Sequence, residues 1–99
     1  MAIVSSEHID IDPAVCGGRP CIRGTRIRVQ DIVFHHDYDG LCVEEIVGEF
    51  PHLTQSDVYA ALAYYHDHLN EIRQAIRNDH EFAERMRAEH PSLLRRKAD

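Results

Sequence analysis

Residues 43–58 read Val43-Glu44-Glu45-Ile46-Val47-Gly48-Glu49-Phe50-Pro51-His52-Leu53-Thr54-Gln55-Ser56-Asp57-Val58. Apolar side chains at Val43, Ile46, Val47 and Phe50 are spaced three, one and three apart, which lays them on one face of a short helix. Pro51 stops that helix, because its ring disfavours the helical conformation in the residue before it. Thr54 opens the next one: its hydroxyl can accept a free N–H of the first turn, and Asp57 sits near the positive end of the helix dipole. Two helices joined by so short a turn are a candidate helix-turn-helix.

Downstream, Val58, Ala61, Leu62, Tyr65, Leu69, Ile72 and Ile76 hold one face for about six turns and predict one long helix. Asn78-Asp79 is the expected interruption, followed by a short Phe82 and Met86 stripe that ends before Pro91. Upstream, Ile32, Val33 and His36 mark the apolar side of a helix that starts near Gln30, carries Asp31 in its first turn and ends at Gly40. Further back, His8-Ile9-Asp10-Ile11-Asp12 alternates with period two and reads as a short strand, which Pro13 and Gly17-Gly18 break. Gly24-Thr25 suits a hairpin turn with glycine in its first central position. The register that follows sets Arg23 against Arg26, Ile22 against Ile27, Cys21 against Arg28 and Pro20 against Val29. The expected fold is therefore mainly α with a small N-terminal β-hairpin or sheet, a three-helix helix-turn-helix core and a C-terminal helical extension. Residues 1–78 form the domain, and residues 79–99 form a short amphipathic helix and basic tail.

A chain of 99 residues, 43% hydrophobic and 28% charged, is expected to build one small core. No apolar run approaches the roughly 20 residues that cross a bilayer, and the start shows no basic segment followed by an apolar one. Three cysteines, an odd number, make no disulfide framework and suit a reducing cytoplasm, the expected location. The net charge of −6 argues against a general nucleic-acid coat. That charge is unevenly spread: four cations and three anions over 1–28 give +1, no cation and nine anions over 29–72 give −9, and seven against five over 73–99 give +2.

This distribution weighs the candidate sites. Thr54, Gln55, Ser56 and Tyr59 open the helix that would touch bases. Phosphate contacts supply most of the affinity of DNA-binding proteins, however, and the three-helix segment has no cation to make them. Arg23, Arg26 and Arg28 share one face of the hairpin, where like charges across from each other cost stability unless neutralised. Asp10 and Asp12 on a neighbouring strand are the plainer answer, and an acidic protein partner or phosphate is the functional one. Toward the C-terminus, Phe82, Met86, Leu93 and Leu94 stand among Arg77, Arg85, Arg87, Arg95, Arg96 and Lys97. That pattern suits a helix docked in a partner's groove, or folded back on its own domain. Eight histidines raise the question of metal, yet His35-His36 and His66-x-His68 point about 100° and 200° apart round a helix, and Cys16 and Cys21 have no second pair. No metal or cofactor is expected. The loop from Gly18 to Thr25 lacks the lysine of a phosphate loop, and no serine sits in a nucleophile motif, so catalysis is not expected either.

The string Gly17-Gly18-Arg19-Pro20-Cys21-Ile22-Arg23-Gly24-Thr25-Arg26-Ile27 carries a family resemblance. With it go Asp12-Pro13, Val29, Glu44-Glu45-Ile46, Phe50-Pro51-His52-Leu53-Thr54, Val58, Ala61, Leu62 and Tyr64-Tyr65. Over about residues 8–72 the chain resembles the domain of unknown function family 433. The resemblance implies a homeodomain-like helix-turn-helix protein acting as an antitoxin, often encoded beside a toxin similar to PIN-domain ribonucleases; it assigns no catalytic residue. Such nucleases hold metal with clustered carboxylates, so a cationic element is the natural blocker. The residues expected to bind the partner are Arg23, Arg26, Arg28, Phe82, Met86, Arg95 and Arg96. A homodimer is expected, operator DNA is a second and less favoured partner, and a membrane is not a partner. The competing readings are a stand-alone helix-turn-helix transcriptional regulator and a structural adaptor.

Overall fold

In the computed structural model, residues 4–5 and 7–89 are described. The elements run β1 (Val4–Ser5), β2 (Ile9–Ile11), a 3-10 turn (Cys16–Gly18), β3 (Cys21–Ile22), α1 (Val29–Val33), a π-helical turn (Phe34–Tyr38), α2 (Val43–Glu49), α3 (Gln55–Asp67) and α4 (Leu69–Glu89). The chain is mainly helical, with an antiparallel sheet of order β1-β2-β3 beside the helices.

The alternating strand pairs through Ile9 with Ile22 and through Asp10 with Cys21. Cys21 also bridges Arg28, Ile22 N–H donates to Ile27 O at 2.8 Å and Val29 N–H to Pro20 O at 2.9 Å, which is the expected hairpin register. The turn itself differs. Thr25 N–H bonds to Ile22 O at 3.0 Å, so the tight turn spans 22–25 with Gly24 third, at φ 78°. The Thr25 hydroxyl decides this, donating to Ile22 O at 2.8 Å and accepting from Ile27 N–H at 3.0 Å. Arg23 is consequently not a simple cross-strand partner of Arg26, and its N–H donates to His8 O at 2.7 Å.

The core gathers where these elements meet. Ile22, Val29, Ile32, Val33, Ile46, Val58 and Ala61 are fully buried, joined by Ile9, Val43, Leu53, Tyr65, Ile72 and Ile76. Thr54 and Asp57 close the capping box at the start of α3: Asp57 N–H donates to Thr54 Oγ1 at 3.1 Å, and Thr54 N–H donates to Asp57 Oδ2 at 3.0 Å. Leu53 is buried in the turn between α2 and α3, which fixes that pair as a helix-turn-helix unit on the core.

Three local expectations are corrected. The helix after the hairpin turns π-helical at Phe34–Tyr38, with Asp39 N–H reaching back to Phe34 O at 3.1 Å. The wider turn changes the angular phase, so His36 faces outward, its side chain 41% exposed. The long helix expected from Thr54 onward is two helices. His68 leaves helical geometry at φ −136°, ψ 44°, its ring stacked on Tyr64 at 4.0 Å and its Nδ1 bonded to Tyr64 O at 3.0 Å. Conversely, α4 runs unbroken through Asn78-Asp79, and the boundary drawn at residue 78 falls inside it. Asp79 is held there by side chains from elsewhere in the fold, which removes its competition for the local backbone. Beyond Ile76, the last buried residue of α4, residues 77–89 extend for about 20 Å at 1.5 Å per residue.

Candidate functional site

Asp79 is the point at which hairpin, α1 and α4 join. Arg19 Nη1 donates to its two carboxylate oxygens at 3.1 Å each, Arg28 Nη1 to Oδ2 at 3.1 Å, and Gln30 Nε2 to Oδ2 at 2.9 Å. Arg19 also donates to Gln30 Oε1 at 3.0 Å, which satisfies the buried amide of Gln30. Burial alone would raise the pKa of Asp79, but the bonds and charges of Arg19 and Arg28 outweigh it and hold the carboxyl below its usual range. Arg28 forks onto Asp31 as well, through Nε at 3.1 Å and Nη2 at 2.8 Å, and chiefly that bond raises the pKa of its guanidinium. Asp31 in turn accepts the Arg28 N–H at 3.0 Å, so one carboxylate caps α1 and fixes the arginine.

The arginines of the hairpin differ in what they have left over. Arg23 Nε lies 3.3 Å from Asp10 Oδ1, so one of the two strand aspartates pairs as the plainer reading had it. Among the described residues Asp12 makes no such pair; its Oδ1 accepts Ala14 N–H at 2.9 Å and shapes the turn after Pro13. Arg28 is committed to Asp31 and Asp79. Arg26 is exposed and, among the described residues, its guanidinium makes no ion pair. Its carbonyl accepts the Cys16 Sγ–H at 3.4 Å, which ties the turn at Cys16–Gly18 to the hairpin. Cys16, Arg19, Arg26, Arg28, Asp31 and Asp79 rim an open depression of about 680 Å³. Burial and the neighbouring Cys16 push the Cys21 thiol up to about 12, so it stays protonated within the sheet.

Phe82 and Met86 follow Asp79 on α4 by three and seven residues, which keeps them near its azimuth and therefore on the hairpin side of the helix. Phe82 is 58% exposed and Met86 half-buried. The cationic depression and the short apolar stripe thus lie toward the same side of α4. Arg95 and Arg96 lie outside the described residues, as do Leu93, Leu94 and Lys97.

The proposed base-reading residues are placed otherwise. Thr54 is occupied as the cap of α3, while Gln55, Ser56 and Tyr59 are exposed on its first turns. His8 Nδ1 lies 2.9 Å from Asp57 Oδ1 and links β2 to this helix start. Burial opposes ionisation of Asp57, yet the bonds from Thr54 and His8 prevail and lower its pKa. Among the described residues, no group of three His, Cys, Asp or Glu side chains gathers as metal ligands, and no helix is long and apolar enough to cross a membrane.

Arg19, Gln30 and Asp79 were missed by sequence reasoning. One signal was available: Asp79 is seven residues after Ile72 and three after Ile76, so it continues the buried stripe of α4 and had to meet a partner there.

A short antiparallel hairpin leading into a three-helix core, with a fourth helix clamped to it by arginines, defines a small helical protein of the helix-turn-helix kind. The chain matches the family described as protein of unknown function (DUF433) over residues 9–65, more than half its length, and belongs to that family. It is similar to a DUF433 member protein from Anabaena variabilis whose crystal structure was determined at 2.00 Å resolution. The two are 37% identical with a TM-score of 0.66, over 72% of this chain and 69% of that one. No curated protein matches the chain.

Proposed function

We propose that this protein is a non-catalytic antitoxin of a toxin-antitoxin module, which binds and neutralises a PIN-like ribonuclease and acts on its own operon as a secondary role. The observation that carries the reading is Arg26. The other hairpin arginines are each matched to a carboxylate of the same chain, and Arg26 stands exposed at the rim of the depression. A nuclease that gathers carboxylates to hold metal offers the counterpart: a planar guanidinium bonds a carboxylate through two parallel N–H groups and competes with the metal for it. Phe82 and Met86 supply the apolar contact beside it. An arginine at the centre of such an interface commonly accounts for about 2 kcal/mol or more, roughly 30-fold in affinity.

Co-expression with a PIN-like protein encoded beside this one tests the reading. Neutralised toxicity and co-purification support it; persistent toxicity with no co-purification contradicts it. The exposed Gln55, Ser56 and Tyr59 on a capped helix favour a second reading, a helix-turn-helix transcriptional regulator. A gel shift with the upstream region at low salt, where phosphate attraction is greatest, tests it, and the absence of a shift removes it.

A further inference from the structure

Farther round α4 lies a second groove, which shares Phe34, Ile76 and His80 with the depression beside Arg28 and Asp79. It has a volume of about 410 Å³ and runs between the π-helical turn and α4, lined by Phe34, Tyr38, Ile76, Arg77, His80 and Glu81. Arg77 and Phe82 are five residues apart, about 140° round the helix, so the groove and the Phe82 stripe face different ways. The π-helical turn makes the groove's aromatic wall. It brings the Phe34 and Tyr38 rings into a stack with centroids 5.1 Å apart and planes within 7°, yet leaves them 42% and 59% exposed. Two large rings ordered against each other at the surface are an unfinished hydrophobic contact.

The two banks of the groove carry opposite charge. On the π-turn side stand Asp37, bonded to His36 Nδ1 at 2.7 Å, and Asp39, bonded to His35 Nδ1 at 3.2 Å. On the α4 side stand Arg73, Arg77 and Glu81, all exposed, two cations against one anion. Arg73 donates to Tyr65 Oη at 3.0 Å, and Arg77 donates to Gln74 Oε1 at 2.6 Å. Among the described residues neither arginine pairs with a carboxylate. A patch with aromatic rings at its centre, net anionic on one bank and net cationic on the other, is complementary to itself under a two-fold rotation. The rotation sets the cationic bank of each copy against the anionic bank of the other and lets the Phe34 and Tyr38 stacks meet near the axis.

We infer that this groove is the interface of a symmetric homodimer, its occupant the same groove of a second copy, with Tyr38 as the central anchor and Arg77 against Asp37 and Asp39 as the specifying pairs. The inference does not depend on the antitoxin reading, since neither Arg26 nor the cluster around Asp79 takes part.

Sedimentation velocity of the full chain tests it. Wild type is expected at twice the 11.4 kDa of one chain at micromolar concentration. Tyr38→Glu and Arg77→Glu each weaken the dimer at least about tenfold. Combining Arg77→Glu with Asp37→Lys and Asp39→Lys in one chain restores it, because both banks are then exchanged; recovery also shows that the single variants fold. Arg26→Ala and Phe82→Glu leave the dimer unchanged. A wild-type monomer at about 100 μM overturns the inference, and so does a dimer indifferent to Tyr38→Glu and Arg77→Glu or one lost with Phe82→Glu.

Discussion

The hairpin and the start of α3 are both exposed, both begin a helix with a carboxylate reaching back to its own first turn, and both are plausible places for a partner. They differ in the charge that remains once internal bonds are made. At the hairpin, Asp31 and Asp79 absorb Arg28 and Arg19, Asp10 meets Arg23, and among the described residues Arg26 is left over. At α3, Thr54 and Asp57 satisfy each other and His8, and no cation lies anywhere from 29 to 72. Exposure alone therefore ranks these surfaces equally, whereas residual charge separates them: one surface suits carboxylates, and the other has little to offer a phosphate backbone.

Substitutions tell the two surfaces apart. The largest effect is expected for Arg26→Ala, which lowers affinity for a PIN-like partner by roughly 30-fold while leaving the melting temperature unchanged, as titration calorimetry and thermal unfolding can read together. Asp79→Ala should do the reverse. It leaves Arg19, Arg28 and Gln30 facing one another and loosens α4; with the side chain 39% exposed, solvent screening holds the loss to about 1 kcal/mol, seen as a lower urea midpoint. Thr54→Ala removes the cap of α3 and also costs about 1 kcal/mol, with no change in partner binding.

Acid distinguishes the two regions less sharply. Asp57 and Asp79 both bind their protons less readily in the folded chain than at the ordinary value of 3.8. The stability they contribute is full above that value and is lost as pH falls through their lower folded pKa. Urea midpoints should therefore hold from pH 7 to about pH 5 and decline below about pH 4, and Asp79→Asn should flatten the decline. The smallest effect is expected for Gln55→Ala, within about 0.5 kcal/mol in stability.

Much of the helical frame was legible because its signals are local. The Thr54 and Asp57 cap, the Pro51 stop and the pairing of residues 20–22 with 27–29 each rest on residues a few positions apart and appear as read, whereas the tip of the hairpin, where Arg23 was set against Arg26, does not. The errors lie where distant residues decide. Asp79 reads as a helix breaker until Arg19, 60 residues earlier, is seen to hold it. The break at His68 depends on its ring settling on Tyr64, within a run whose apolar spacing continues without interruption. The π-helical turn shifts the phase of its helix by an amount no period-3.6 pattern encodes, and with it the Phe34 and Tyr38 stack stayed out of view. At the candidate site the three hairpin arginines were visible as a group, but which of them is internally neutralised depended on the turn at Thr25 and on a helix far along the chain.

In the proposed function, Arg26 is the hairpin cation reserved for a partner. That role is tested most directly by measuring the affinity of Arg26→Ala and Arg23→Ala for the same PIN-like protein, with thermal unfolding of each. Arg26→Ala is expected to lose binding at an unchanged melting temperature, whereas Arg23→Ala keeps binding and melts lower. Wild-type affinity in Arg26→Ala, or equal losses in both variants, would contradict it.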